Sequence, residues 1–263
     1  MSFTIPTILA LDFDGVICDG LLEYFQSTKR TYSKIWHLDN IASLDQFANQ
    51  FYLLRPVIET GWEMPVLLRA LVLEISSEEI NQNWPNIAEK IVKTEQLDPK
   101  ILSYELDATR DRWIETNVDE WLALHRFYPN VVERMSQILD TSTQLYIIST
   151  KEGRFIQQLF QEKGVTISKD SLFGKETKQP KYEIIRTLLK KHSEPPSHLW
   201  FVEDLLKTLQ KVKQQPDLDG MGLFLADWGY NTQHTRESIA DDPSIHLLSL
   251  AQFTQDFSNW PQS

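Results

Sequence analysis

Two aspartates one residue apart, Asp12 and Asp14, follow the apolar run Ile8–Leu11 and precede Gly15. A short apolar run that ends in a loop is typical of a buried parallel strand, and ligands of open α/β sheets bind where strands end. Two ionised carboxylates at such a place repel each other unless a cation, a shared proton or hydrogen bonds compensate. The pattern indicates a binding or catalytic site, although an Asx-type turn uses the same residues.

Polar side chains also follow two later apolar runs, 145–148 and 199–202. They are Ser149 and Thr150 after the first run, and Glu203 and Asp204 after the second. Hydroxyls and carboxylates at strand ends suit a phosphate or metal site. The simpler alternatives are a helix cap for the hydroxyls and favourable partners of a helix N-terminus for the acids.

Basic residues accompany these segments. Lys178 and Lys181 stand at the start of a helix predicted over 181–191, and Lys151 and Arg154 follow Thr150 closely. Any of them is a candidate for contact with an anion. Solvated lysines in a loop, or charges at a helix start, are the alternative interpretation.

The elements that must position these residues form two patterns. Apolar residues recur at helical spacing over five segments, 21–36, 44–54, 64–75, 77–93 and 101–118. From residue 128 onward, short apolar runs alternate with amphipathic helices, which predicts a parallel sheet with right-handed crossovers. We therefore predict an α/β fold with a Rossmann-like parallel sheet from residues 1–17 and 128–263, and an inserted all-helical domain from residues 18–127.

Composition narrows the possible partners. The 263 residues carry a formal net charge of -11, which argues against nucleic acid and anionic membranes as partners. The one cysteine, Cys18, fits a reducing compartment. Neither a basic, apolar leader pattern nor an uncharged run of membrane-spanning length is evident. We expect a cytoplasmic protein.

The segments DFDGVICDG, QLYIIST, KETKQPKYEIIRTL and WFVED resemble, in this order, the four motifs of the haloacid dehalogenase-like hydrolases. The resemblance implies a cap domain inserted after the first motif. It further implies that Asp12 attacks phosphorus as the nucleophile and that Asp14 is the general acid/base. Ser149, with Thr150, would bind phosphate oxygens.

The same resemblance implies a lysine and a metal site. Lys181 would neutralise charge on the nucleophile and the phosphoryl group, with Lys178 as its competitor. Mg²⁺ would be held by Asp12, by Asp204 and by the main-chain carbonyl of Asp14. Glu203 would bind the ion directly or through water, because a glutamate here is a less common form of the fourth motif.

These assignments predict a Mg²⁺-dependent phosphatase that hydrolyses a small phosphorylated metabolite through an aspartyl-phosphate. The resemblance favours this prediction, because the dehalogenases and ATPase pumps of the family lack an aspartate at the position of Asp14, whereas its phosphatases and phosphomutases use one. A phosphomutase is the nearest enzymatic alternative. A non-catalytic binding protein on the same scaffold is the alternative from another class.

Overall fold

The computed structural model describes residues 5–261. Its contacts divide the chain into two units, one that runs up to Asp19 and resumes at Arg126, and one over Gly20–His125. The described residues form eight strands, which are β1 Ile8–Leu11, β2 Cys18–Asp19, β3 Arg126–Phe127, β4 Gln144–Ile148, β5 Leu172–Phe173, β6 Leu199–Glu203, β7 Gly222–Ala226 and β8 Ile245–Leu248. Within the described residues, no helix has the length and apolar character needed to cross a bilayer.

Eleven α-helices accompany the strands in the described part of the chain. They are α1 Leu21–Ile35, α2 Ala48–Leu54, α3 Glu63–Val72, α4 Ser77–Thr94, α5 Pro99–Leu122, α6 Val131–Leu139, α7 Gly153–Glu162, α8 Lys181–His192, α9 Leu206–Lys213, α10 Gln233–Glu237 and α11 Leu250–Phe253. The first five form the second unit, and the other six belong to the first.

The first unit is built on a six-stranded parallel sheet with the strand order β5-β4-β1-β6-β7-β8. Strand β1 is apolar throughout and fully buried, as expected for a central strand covered on both faces. Ile8 and Ala10 pack into a core with Ile185 and Leu188 of α8. The predicted α/β class with a Rossmann-like parallel sheet is confirmed.

Register brings the ends of three strands together. Leu11, the last residue of β1, pairs with Ile147 of β4 on one side and with Val202 of β6 on the other. All three strands run in parallel, so the residues that follow them emerge at the same edge of the sheet. This edge therefore holds three of the segments for which the sequence predicts a site, those that follow β1, β4 and β6.

Two short strands frame the passage into the second unit. Cys18–Asp19 pairs antiparallel with Arg126–Phe127, and both strands belong to the first unit. The helical domain predicted over residues 18–127 includes both of these strands. A strand of two residues carries too little alternation to be recognised in a sequence.

The second unit is all-helical, and its longest helices are kinked. Helix α1 packs against α3 and α5. Inside α4, Asn83 has a non-helical backbone two residues before Pro85, because proline removes a helical hydrogen bond. Inside α5, Asn117 has a non-helical backbone. The segment predicted as one helix over 44–54 is a 3-10 helix, Ile41–Phe47, followed by α2.

Candidate active site

Three buried carboxylates meet at the edge where β1 and β6 end. Asp12, Glu203 and Asp204 each place a ligand oxygen within 4.8 Å of the other two. The main-chain N–H of Asp12 donates to the carbonyl of Val202 at 2.9 Å, which continues the sheet pairing by one residue. This bond brings Asp12 beside the acidic pair that ends β6.

Lys181 lies against two of these acids. Its Nζ is 2.8 Å from Oδ1 of Asp12 and 2.7 Å from Oε2 of Glu203. It is the first residue of α8, so the helix start aims the side chain at the sheet edge. The competing Lys178 is exposed, in a turn where its φ is 53°. Of the two candidate lysines, Lys181 contacts the acidic cluster.

The pKa values of Asp12, Glu203 and Lys181 are all raised by their surroundings. Burial, followed by the neighbouring charge of Glu203, raises the pKa of Asp12 to about 7, although the Lys181 ammonium opposes this shift. The pKa of Glu203 is also raised, first by its burial. Burial lowers the pKa of Lys181, but the charges of Asp12 and Glu203 outweigh it and raise the pKa overall. The ammonium is therefore charged at neutral pH.

This cluster suits a hard divalent cation. Lys181 pairs with two of the three carboxylates, and three ionised carboxylates this close together repel one another unless a cation compensates. Oδ1 of Asp12 makes no hydrogen bond of acceptable geometry with the described residues, despite its ion pair with Lys181. Carboxylate oxygens are the ligands that Mg²⁺ prefers in proteins. The residues present fit the predicted metal.

Asp204 is fixed by main chain from two loops. The N–H of Tyr230 donates to its Oδ2 at 2.8 Å. A Cβ atom built on Gly15 would lie 2.1 Å from that same oxygen, and one on Gly229 would lie 2.3 Å from the Asp204 Cβ. Only glycine allows both loops to approach Asp204 this closely.

Both carboxylate oxygens of Glu203 accept hydrogen bonds. Its Oε1 accepts from the main-chain N–H groups of Asp204 and Leu205, each at 3.1 Å, while Oε2 binds Lys181. The side chain is fully buried. Glu203 therefore anchors the lysine and closes the turn that follows β6.

Asp14 contacts a different lysine from the one beside Asp12. The Nζ of Lys151 lies 3.2 Å from its Oδ1 and 3.4 Å from its Oδ2. Oδ1 of Asp14 has no hydrogen-bond partner of acceptable geometry among the described residues. The side chain of Asp14 is not a member of the carboxylate group around Asp12.

The segment after β4 contributes Ser149 and Lys151 to this edge. Ser149 is buried, and its Oγ accepts from the main-chain N–H of Lys151 at 3.1 Å. Thr150 is exposed. Arg154, the other candidate for anion contact, is exposed and pairs with Glu152 at 2.7 Å. Of these two basic residues, Lys151 contacts Asp14, whereas Arg154 does not take part in this contact.

Several residues that follow β7 hold the site through hydrogen bonds. The hydroxyl of Tyr230 donates to Oδ1 of Asp19 at 2.9 Å, and Nε1 of Trp228 donates to the carbonyl of Val16 at 3.0 Å. Asn231 donates from Nδ2 to the carbonyl of Asp204 at 3.1 Å. Trp228 and Tyr230 belong to the segment ADWGY at the end of β7, whereas Asn231, the next residue, carries no sequence signal beyond its place after that strand.

Comparison with solved structures shows which fold this is. A Bacteroides fragilis protein assigned as a haloacid dehalogenase-like hydrolase superposes with a TM-score of 0.59 at 14% identity, covering 94% of this chain and 99% of that one. A predicted phosphatase from Clostridium acetobutylicum gives 0.58 at 12% identity, with 95% and 97% covered. A predicted phosphoglycolate phosphatase from Haemophilus somnus gives 0.58 at 14% identity, with 98% and 97% covered.

At these identities the likeness establishes the fold. No family model matches the sequence, and no curated protein matches it.

Proposed function

We propose that this chain, which has the fold of the haloacid dehalogenase-like hydrolases, is a Mg²⁺-dependent phosphatase that acts on a small phosphorylated compound. The observation that carries the proposal is the cluster of Asp12, Glu203 and Asp204 with the Lys181 ammonium at the edge of the sheet. Three structural neighbours described as phosphatases or as a hydrolase of this type support the same class.

Phosphate ester hydrolysis is hindered chiefly by charge. An anionic nucleophile must approach an anionic phosphoryl group, and catalysis rests on positioning and on neutralising that charge. Lys181 supplies one positive charge beside Asp12. Lys151 supplies a second on the side of Asp14. The hydroxyl of Ser149 would bind a phosphoryl oxygen.

The proposed first step is attack by a carboxylate oxygen of Asp12 on phosphorus. The bond from phosphorus to the leaving oxygen breaks, and Asp14 gives its proton to that oxygen. In the second step Asp14 takes a proton from water, whose oxygen attacks the phosphorus. The bond from Asp12 to phosphorus breaks, inorganic phosphate leaves, and Asp14 again carries a proton.

The residues that would hold the metal are Asp12, Asp204 and the main-chain carbonyl of Asp14. Glu203 would reach it through water, because both of its oxygens already accept hydrogen bonds. A bound Mg²⁺ supplies positive charge and Lewis acidity to the phosphoryl oxygens. Asp204, held by the main chain around it, would keep its geometry without the ion.

The helical unit, Gly20–His125, is proposed to act as a cap. Such a cap would exclude bulk water during catalysis and recognise the leaving group. The boundaries of the proposed cap are those of the structural unit, with β2 and β3 as its connections to the core.

The test is release of inorganic phosphate from an aryl phosphate by purified protein. We expect activity with Mg²⁺, loss of activity with EDTA, recovery when Mg²⁺ is added back, and loss in Asp12→Asn. Activity that is independent of metal, or an undiminished Asp12→Asn variant, would contradict the proposal. A panel of phosphorylated metabolites, including a phosphorylated hydroxy acid such as phosphoglycolate, then defines the substrate. Isomerisation without phosphate release would indicate a phosphomutase.

A further inference from the structure

The helical unit contains a pocket near the C-terminal end of α1. Its volume is about 430 Å³, which lies in the range of pockets that bind small molecules. Its apolar and aromatic lining consists of Tyr32, Trp36, Leu38, Leu44, Phe47 and Val72. Among the described residues no carboxylate lines this pocket. We call it the α1 pocket.

Two aromatic rings form a fixed wall of the α1 pocket. Tyr32 and Trp36, one helical turn apart, stack with ring centroids 4.4 Å apart and planes 23° apart. The indole N–H of Trp36 donates to Oε2 of Glu95 at 2.6 Å. This bond fixes the orientation of the indole before any ligand binds, so binding would not cost the entropy of ordering that side chain. Flat aromatic surfaces of this kind favour stacking by another planar ring.

Of the described residues that line the α1 pocket, Arg69 alone is a cation. Its Nε donates to Oε1 of Glu95 at 2.8 Å, and its Nη1 donates to the hydroxyl of Tyr32 at 3.2 Å. The remaining nitrogen, Nη2, donates to no acceptor among the described residues. Two bonds therefore fix the guanidinium plane and leave one edge able to bind an oxygen acceptor.

The segment between α1 and α2 is held by local hydrogen bonds. The hydroxyl of Ser33 donates to the carbonyl of Leu38 at 2.7 Å, and the N–H of Leu38 donates back to the carbonyl of Ser33 at 3.0 Å. Asn40 caps the following 3-10 helix through the N–H of Ala42. These bonds fix the turn that carries Leu38 and the start of the segment that carries Leu44.

The α1 pocket lies far along α1 from the point where the chain enters the helical unit. At about 1.5 Å per residue, Tyr32 and Trp36 stand on the order of 17 to 22 Å along the helix axis from Leu21, which follows Gly20. The pocket is built from the last turns of α1 and α3 and the segment between α1 and α2.

We propose that the α1 pocket binds a small planar aromatic acid. Its ring would stack on the wall of Trp36 and Tyr32, and its carboxylate or sulfonate would accept from Nη2 of Arg69. Glu95 neutralises the charge of Arg69. The affinity for the anionic group would therefore come from its hydrogen bond with Arg69 more than from attraction to a net positive charge. This site is independent of the proposed phosphatase activity, because it uses none of the residues assigned to that activity.

The experiment measures binding of anilinonaphthalene sulfonate, an aromatic acid, to the full-length chain by titration calorimetry and fluorescence. Neutral phenylnaphthylamine is the matched probe without the acid. Two variants fill the pocket from different walls, Val72→Trp at the end of α3 and Ser43→Trp on the exposed segment. Leu73→Trp, on the exposed residue next to Val72, is the control for an added indole.

We expect saturable binding of one sulfonate per native chain, at least about tenfold weaker in Val72→Trp and Ser43→Trp and unchanged in Leu73→Trp. Arg69→Gln should weaken sulfonate binding about tenfold or more and affect the neutral probe less. A thermal melt of each variant shows whether it is folded. Absence of saturable binding to the wild type, or equal binding by Ser43→Trp and the wild type, would overturn the proposal.

Discussion

The ammonium of Lys151 lies 3.2 Å from Oδ1 of Asp14, although the two residues follow different strands, β4 and β1. The Lys151 side chain is nearly buried and the Asp14 side chain is partly exposed. A lysine held in this position orients the carboxylate that is proposed to exchange protons with the leaving oxygen. The pair therefore divides the site into an Asp14 side and an Asp12 side, each with its own lysine.

Replacement of Lys151 by Met should lower kcat/KM for an aryl phosphate by about 10- to 100-fold, because the proposed acid loses the contact that positions it. Arg154→Gln removes a charge of the same sign from an exposed position in the same segment and should change kcat/KM little. Steady-state kinetics at saturating Mg²⁺ measure both effects. Equal losses in the two variants would indicate a general field effect in place of positioning.

The two lysines of the third motif provide a sharper comparison. Lys181→Met removes the ammonium beside Asp12 and Glu203, and it should reduce kcat by about 100-fold or more. Lys178→Met alters an exposed residue three positions earlier and should retain wild-type kinetics. Phosphate release under identical conditions distinguishes them. A larger loss in Lys178→Met would assign the motif to the other lysine.

The sequence was sufficient to predict a parallel sheet and its central strands, because those strands are short apolar runs. The run 145–148 lies within β4, and the run 199–202 lies within β6. Parallel strands share one edge, so Asp12, Ser149 and Asp204 were expected near one another without knowledge of any contact.

What the sequence did not predict depends on contacts between distant residues. Nothing in the local pattern distinguishes Lys151 from Arg154, yet one contacts Asp14 and the other is exposed. Likewise, Gly229 supports Asp204 through a close main-chain approach across 25 residues of chain. The short strands β2 and β3 depend on their mutual pairing, which periodicity cannot reveal.

Mg²⁺ binding should depend on pH through Asp12. Its pKa of about 7 in the metal-free chain means that it is largely protonated below that pH, and the ion requires the carboxylate. Affinity should therefore fall by about tenfold per pH unit below about pH 7 and level off above it. Calorimetry with Mg²⁺ between about pH 5.5 and 8 measures the slope. Asp12→Asn should bind weakly with a reduced slope; an unchanged slope would assign the proton to another group.

The helical unit should depend on a buried ion pair. Glu23 is fully buried, and it accepts from Arg110 at 2.8 and 3.2 Å and from Nε1 of Trp121 at 3.2 Å. Glu23→Gln leaves the guanidinium without its counter-charge and should lower the free energy of unfolding by about 3 kcal/mol.

Urea unfolding followed by circular dichroism measures this loss. Glu152→Gln, which breaks the exposed pair with Arg154, is the matched control and should cost less than about 1 kcal/mol. Similar effects of the two substitutions would show that the Glu23 contacts contribute little to stability.

Gly15 and Gly220 share a φ of 84°, so an alanine at either position pays the same left-handed backbone cost, about 1 kcal/mol. They differ in their surroundings. The added Cβ would lie 2.1 Å from Oδ2 of Asp204 at Gly15, and it would meet nothing within 4 Å at Gly220. Gly15→Ala must therefore displace Asp204 or the loop after β1.

A displacement of about 1 Å at a catalytic site costs on the order of 100-fold in rate, so Gly15→Ala should lose about 100-fold in kcat/KM and need more Mg²⁺ for half-maximal activity. Gly220→Ala should show a similar backbone penalty in its thermal melt and keep wild-type kinetics. Parallel melts and Mg²⁺ titrations of the two variants separate backbone strain from collision with Asp204. If both variants lose activity equally, strain alone explains the effect, and the close approach of Gly15 to Asp204 has no part in holding the metal site.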